Sequence, residues 1–302
     1  MNRSQGYIVS AAFGLSFILV FSTLLKERGM SSLEQLLLRL GFSLVILLLV
    51  LISTGKFQLV RANDIPFFAV FGLVYALFAF SGLSSIAFGT PIAVSVALVY
   101  TQPIYTALMA WLTRREKVTA TNLGVVFLGV FGVFLVAGLN PANVQFGLGI
   151  FFGLLAGFFY AVYLWLKRRA TSSMLNAYAP SQVLFNTFLF AAPSLTIVGL
   201  MLRNFSVDPL FVGITMPDLF QISLILLFAA FSTVLPYGLL NYVKTRDVLP
   251  TTEGLLLLGD PILHALWAIL FFNQFVSFTQ YLGGGLVLLS AALNLKITSK
   301  PM

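Results

Sequence analysis

The segment that decides the fold is Thr251–Leu270, which reads TTEGLLLLGDPILHALWAIL. Most of it is leucine, glycine and other small or apolar residues, and a helix of about 20 such residues is long enough to cross the hydrocarbon core of a bilayer. It also contains Glu253, Asp260 and the only histidine of the chain, His264. An ionised side chain at the centre of a membrane costs about 2.5–3.5 kcal/mol on insertion scales. We therefore expect these three side chains to face protein or water rather than lipid.

The composition of the whole chain is that of an integral membrane protein. Of its 302 residues, 59% are hydrophobic and 9% are charged, and the mean hydropathy is +1.00. A soluble domain of this size would need more polar side chains to cover its surface. We predict an all-α integral membrane fold with ten transmembrane helices, at residues 6–26, 33–53, 65–86, 91–112, 120–138, 147–167, 178–202, 218–242, 250–272 and 277–295. The absence of cysteine excludes disulfides and thiolate metal sites.

The net charge of +8 is explained by membrane topology, so we expect no nucleic-acid partner. Lysine and arginine are retained on the cytoplasmic side of a membrane. With the N-terminus inside, thirteen basic residues fall in cytoplasmic segments, three fall outside, and Arg39 lies within a span. The first set is Arg3, Lys56, Arg61, Arg114, Arg115, Lys117, Lys167, Arg168, Arg169, Lys244, Arg246, Lys296 and Lys300, and the second is Lys26, Arg28 and Arg203. We predict a multi-pass protein of the cell membrane with both termini in the cytoplasm.

The chain is internally duplicated. A shift of 158 residues places Pro103-Ile104, Ala107-Leu108 and Ala110 on Pro261-Ile262, Ala265-Leu266 and Ala268, and a shift of 141 places Gly6 on Gly147 and Lys26 on Lys167. We therefore predict two five-helix repeats, residues 1–140 and residues 141–302. Because five is odd, the second repeat would cross the membrane in the opposite sense, and inverted repeats of this kind are typical of transporters.

The three ionisable residues of the opening segment are expected to share one helix face. At about 100° per residue, Glu253, Asp260 and His264 project within about 40° of one another. The 158-residue shift pairs them with Ser95, Gln102 and Thr106 of the fourth span, in that order. Two polar faces on repeat-related helices predict one shared cavity. Pro261 frees the carbonyl of Leu257, so the ninth span should bend beside Asp260.

Several of these residues also have a purely structural interpretation. Glu253 could serve only to balance the helix dipole at the start of its span, and His264 could be a neutral side chain bonded to a neighbouring helix. Arg39 is close enough to the membrane interface to act as an anchor. Asp260 has no such local explanation, since nothing near it in the sequence caps or exposes it. Burial favours the neutral forms of Asp260 and His264, which makes both candidates for proton exchange.

In its organisation and in several residues the sequence resembles the EamA family of the drug/metabolite transporter superfamily. The resemblance rests on the ten spans, the inverted duplication, Lys26 closing the first span, Arg39 early in the second, and the run from Pro103 through Ala107 to Glu116. It covers nearly the whole chain. It implies a transporter, often an exporter, of amino acids or other small metabolites, with a central cavity and with the fifth and tenth helices at the periphery.

Two further tyrosines become site candidates through this resemblance, because Tyr163 and Tyr237 lie on helices that the family places at the cavity. The chain departs from the family in two places. Gln274 stands where the first repeat has Glu116, and the tryptophan common in the family's first helix is missing.

Residues and resemblance together predict a secondary transporter of a small-molecule substrate that uses no cofactor or metal and is not an enzyme. The Gly259-Asp260 pair resembles that of intramembrane aspartyl proteases, but no second aspartate lies within a span. An amino acid would place its ammonium near Asp260 and its carboxylate near Arg39. An organic cation would need only acids and aromatic faces, and a passive facilitator or channel is a third alternative. With Arg39 as the only basic residue within a span, phosphorylated substrates are disfavoured. Proton coupling, transport direction and oligomeric state are left open.

Overall fold

The structure, a computed structural model, describes residues 2–88, 90, 92–113, 119–137, 147–170, 177–204, 213–244, 246–273 and 277–298. Within these ranges the chain is helical and contains no strand, so the all-α class is confirmed. The helices are α1 Arg3–Ser16, α2 Ile18–Glu27, α3 Ser32–Ser53, α4 Ile65–Ala87, α5 Ile92–Val99, α6 Gln102–Leu112, α7 Ala120–Val136, α8 Leu148–Arg169, α9 Pro180–Asn204, α10 Leu219–Ala229, α11 Leu235–Tyr242, α12 Pro250–Leu257, α13 Gly259–Phe272 and α14 Phe278–Thr298. A π-helical turn, Ala230–Val234, joins α10 to α11.

Eight helical segments of the described chain are long and apolar enough to cross a membrane. They are Arg3–Glu27, Ser32–Ser53, Ala62–Ile86, Leu148–Arg169, Pro180–Met201, Leu219–Tyr242, Pro250–Phe272 and Phe278–Ile297. The helix Ala120–Val136 is apolar but shorter, and the predicted fourth span is divided between α5 and α6. The chain is therefore a multi-pass membrane protein.

Two helix breaks lie at positions that the 158-residue shift relates. The helix α12 ends before Leu258 and α13 begins directly after it. The corresponding break, at Tyr100 and Thr101, separates α5 from α6. The break at Leu258 lies where Pro261 predicts a bend. Because of this break, Glu253 and Asp260 lie on two different helices, α12 and α13, and do not share one continuous helix face.

The helices pack as two groups, and each group has a central helix from the opposite half of the chain. In the α8 group, α4, α5 and α6 of the first half pack on α8. In the α1 group, the π-helical turn, α11, α12 and α13 of the second half pack on α1. The helices α3 and α9 pack against each other, and α7 packs along α14. The two halves are thus interleaved rather than side by side.

Glycines allow the close packing within the α8 group. A Cβ atom at Gly157 would lie 2.7 Å from the Thr101 hydroxyl and 2.8 Å from the Leu98 carbonyl oxygen. One at Gly153 would lie 2.5 Å from the Leu98 side chain. All three distances are too short for a real Cβ atom. The spacing of four residues therefore creates a surface on which α5 and the adjoining turn lie directly against the α8 backbone.

Candidate functional site

Three buried tyrosines from three helices meet where the two groups face each other. The ring centroids of Tyr75 on α4, Tyr163 on α8 and Tyr237 on α11 are 5.7, 5.8 and 5.9 Å apart in pairs. Phe188 of α9 lies 5.0 Å from Tyr75, measured between ring centroids. We call Tyr75, Tyr163 and Tyr237 the tyrosine cluster. Tyr163 and Tyr237, candidates from the family resemblance, are thus brought together, and Tyr75 joins them.

Arg39 lies beside the tyrosine cluster. Its side chain is half-buried, and its guanidinium carbon is 4.7 Å from the centroid of the Phe228 ring. The guanidinium also interacts electrostatically with the hydroxyl groups of Tyr75 and Tyr237. These contacts hold Arg39 toward the interior of the helix bundle. In this position it can present a planar, bidentate donor to a carboxylate.

Glu253 lies in the first turn of α12, buried between two basic side chains of α8. Its carboxylate forms ion pairs with the Lys167 ammonium and, at 2.7 Å, with Arg168 Nε. Lys167 Nζ also donates to the carbonyl oxygen of Leu240 in α11, at 3.1 Å. Glu253 therefore does more than balance a helix dipole, because it is paired with charges on another helix.

The burial of Lys167 and Arg168 corrects one premise of the sequence analysis. Both were assigned to a cytoplasmic segment, which left Arg39 as the only basic residue within a span. The structure places both in the last turn of α8, with only 1% and 4% of their surface exposed. The count of basic residues therefore no longer disfavours phosphorylated substrates, although Glu253 already pairs with both cations.

The buried Asp260 and the partly buried His264 form a second pair, one turn apart on α13. Asp260 Oδ1 lies 3.4 Å from His264 Nδ1, a distance of weak interaction. Within the described residues, neither these two atoms nor His264 Nε2 has a hydrogen-bond partner. The break at Leu258 places Asp260 in the first turn of α13, where the helix dipole favours a carboxylate. This is a local explanation for Asp260 that the sequence did not reveal.

The polar face of the fourth span is only partly joined to that of the ninth. Gln102 Nε2 donates to the Thr106 hydroxyl at 2.6 Å, and both residues are buried. Thr106 and Glu253 line one small pocket between α6, α8 and α12. Ser95 is buried on α5, on the other side of the helix break. The pocket thus joins one half of the fourth span to one half of the ninth, while the contact predicted between all six side chains stays a prediction.

Sequence reasoning missed Tyr75, Lys167 and Arg168 as site residues. A tyrosine in an apolar span is most often a packing residue, and basic residues at the end of a span are the usual topology signal. The sequence contains one sign that Lys167 has a structural role, namely the 141-residue shift that pairs it with Lys26. The positions Glu116 and Gln274, on which the family departure rests, lie outside the described residues.

Comparison with known proteins agrees with this architecture. A model of the EamA-like transporter family matches residues 4–138 and 147–296, two repeat-like halves. No curated protein matches the chain in sequence. One solved crystal structure superposes with a TM-score of 0.75 at 13% sequence identity, covering 97% of this chain and 96% of the other, and it shows a shared fold. Because the family model matches nearly the whole sequence, the chain belongs to the EamA-like transporter family.

Proposed function

We propose that this protein is a ten-span secondary transporter of the cell membrane that moves amino acids by alternating access. Its two five-helix repeats, residues 1–140 and 141–302, would be inverted, with both termini in the cytoplasm. The interleaved helix groups support the inversion, because each repeat contributes the central helix of the other's group. The distribution of basic residues supports the orientation.

The observation that carries the proposal is the tyrosine cluster, which is buried between the two helix groups and has the half-buried Arg39 beside it. Transporters built from inverted repeats bind their substrates near the membrane midplane, between the repeats and beside broken helices. Here the two repeat-related breaks, at Tyr100 and at Leu258, supply the broken helices. The cluster and Arg39 supply aromatic faces and a carboxylate partner for a small ligand.

An amino acid fits these groups better than a neutral solute does. Arg39 would bind the substrate carboxylate, and Asp260 or an aromatic face of the cluster would attract the ammonium. The hydroxyl of Tyr163 is buried and has no hydrogen-bond partner within the described residues. A buried hydroxyl without a partner is costly, so a polar group of the substrate would stabilise it.

Arg39→Gln tests the amino-acid assignment. Loss of a charge-assisted hydrogen bond costs about 1.5–3 kcal/mol, so the variant should transport an amino acid with a KM roughly 10- to 150-fold higher. The decarboxylated amine has no carboxylate to lose its partner and should be affected little. Competitive uptake of both compounds into proteoliposomes measures the difference.

A matched control is Arg28→Gln. Arg28 also stacks on a phenylalanine, with its guanidinium carbon 4.6 Å from the Phe220 centroid, but it is exposed. Arg28→Gln should leave the KM for uptake unchanged for both the amino acid and the amine. An equal loss of amino acid and amine in Arg39→Gln would assign Arg39 to packing alone.

An organic cation or amine is the second candidate substrate. The ring faces of the tyrosine cluster and the carboxylate of Asp260 could hold a cation without any help from Arg39. The same experiment distinguishes this candidate, because wild-type protein would then prefer the amine to the amino acid. A passive facilitator or channel would show neither saturation nor competition.

Topology can be tested in the cysteine-free chain with single cysteines. Met216 and Leu59 are both highly exposed, at 97% and 82%, and the proposed orientation places Met216 outside and Leu59 inside. A membrane-impermeant maleimide should therefore label Met216→Cys in intact cells, and label Leu59→Cys only after lysis. The reverse pattern would invert the orientation.

A further inference from the structure

The ion pairs of Glu253 connect the two helix groups at one end of the molecule. Lys167 and Arg168 end the central helix of the α8 group, whereas Glu253 and the Leu240 carbonyl belong to helices that pack on α1. We call this the Lys167 end. The N-terminus of α1 lies at the same end, because the Ser4 hydroxyl donates to the Asp247 carboxylate at 2.7 Å.

Close helix packing accompanies the ion pairs. Gly254, the neighbour of Glu253, faces α6, and a Cβ atom there would lie 3.1 Å from Gln102 Nε2 and 3.3 Å from Pro103 Cβ. Both contacts join α12 of the α1 group to α6 of the α8 group. The two groups are thus tightly closed against each other on this side of the helix breaks.

The repeat-related position on the other side has no carboxylate. The 158-residue shift that pairs the two helix breaks also pairs Glu253 with Ser95. A serine hydroxyl cannot carry the negative charge that holds Lys167 and Arg168. The charge that connects the groups at the Lys167 end is therefore not duplicated, although the helices around it are.

We propose that Lys167, Arg168 and Glu253 form an ionic closure that favours the state closed at the Lys167 end. The inference rests on the proposed alternating access, in which the two helix groups move against each other. Opening this end separates Glu253 from the two cations that it attracts, so the ion pairs oppose opening. Ser95, at the related position, cannot form an ion pair, so this position does not oppose opening of the other end in the same way. The resting protein should therefore open preferentially at the other end, which the positive-inside orientation places outside the cell.

Glu253→Gln tests the closure, with distances read by double electron–electron resonance between spin labels. One pair, Ala62→Cys with Arg246→Cys, spans the two groups at the Lys167 end. A second pair, Glu27→Cys with Phe88→Cys, spans them at the opposite end. All four residues are exposed, and the chain has no cysteine of its own.

In Glu253→Gln the first pair should lengthen and the second should shorten, because opening one end closes the other. We expect the ratio of open to closed protein at the Lys167 end to rise at least about ten-fold, which corresponds to about 1.4 kcal/mol. If Glu253→Gln does not fold, Lys167→Met provides the same test. It removes one cation, keeps the apolar stem, and should shift both distances in the same directions.

The control is Glu34→Gln. Glu34 is also a buried carboxylate, but it accepts hydrogen bonds from the backbone amide and the hydroxyl of Thr215, in the segment before α10. The Glu34→Gln variant should leave both distance distributions unchanged. Longer distances at the Lys167 end without shortening at the other would indicate local fraying and overturn the proposal, as would unchanged distances in both variants. Because the distances are measured without substrate, a wrong substrate assignment would not affect this result.

Discussion

Asp260→Asn is expected to abolish transport driven by a pH gradient while leaving substrate exchange intact. Asparagine keeps the size and much of the hydrogen-bonding capacity of a protonated aspartate, but it cannot release a proton. We propose that Asp260 exchanges the coupling proton, since it is buried near the centre of its span and its Oδ1 atom has no hydrogen-bond partner within the described residues. Proteoliposomes with an imposed pH gradient should accumulate substrate with the wild type and stay at the protein-free level with the variant.

Counterflow in liposomes preloaded with unlabelled substrate measures the exchange that should survive. Asp218→Asn is the matched control, because Asp218 caps α10 by accepting from the Gln221 backbone amide, and asparagine caps a helix equally well. It should leave accumulation unchanged. If Asp260→Asn still accumulates substrate against its gradient, Asp260 does not couple protons, and a facilitator with a polar substrate site becomes the better interpretation.

Gly157→Val is expected to have the largest effect on stability. A Cβ atom at this position would lie 2.7 Å from the Thr101 hydroxyl, 2.8 Å from the Leu98 carbonyl oxygen and 3.0 Å from the Val99 carbonyl oxygen. Backbone atoms cannot rotate away as a long side chain can, so α8 would have to separate from the break between α5 and α6. Overpacking of this kind costs about 3 kcal/mol, which should lower the apparent Tm in detergent by roughly 6–12 °C.

Gly41→Val controls for the helix propensity of valine. Gly41 lies in the interior of α3, and a Cβ atom there would meet nothing within 4 Å. Its apparent Tm should change little. Equal losses in the two variants would mean that the cost comes from valine in a helix and not from the contact between α8 and the α5–α6 break.

Most of the helical segments could be predicted from the sequence, because a membrane span is a continuous run of about 20 apolar residues. The break at Leu258 was also predictable, since Pro261 removes a backbone donor. The pairing of Glu253 with Lys167 and Arg168 was not, because a basic cluster at the end of a span looks the same whether it reaches water or turns back into the protein. Tyr75 could not be separated from ordinary packing tyrosines, since its role depends on rings from α8 and α11. Local signals thus predicted the helices, and contacts between distant helices determined the candidate site.

The exchange of central helices between the two halves has a consequence for biosynthesis. The ribosome completes α4, α5 and α6 before it has made α8, the helix on which they pack. During that interval α4, α5 and α6, which carry the buried residues Ser81, Ser84 and Ser95, lack the helix on which they pack. The first half can therefore insert but cannot complete its own interior. We therefore expect the packing of the first half to be completed only after the second half has been translated.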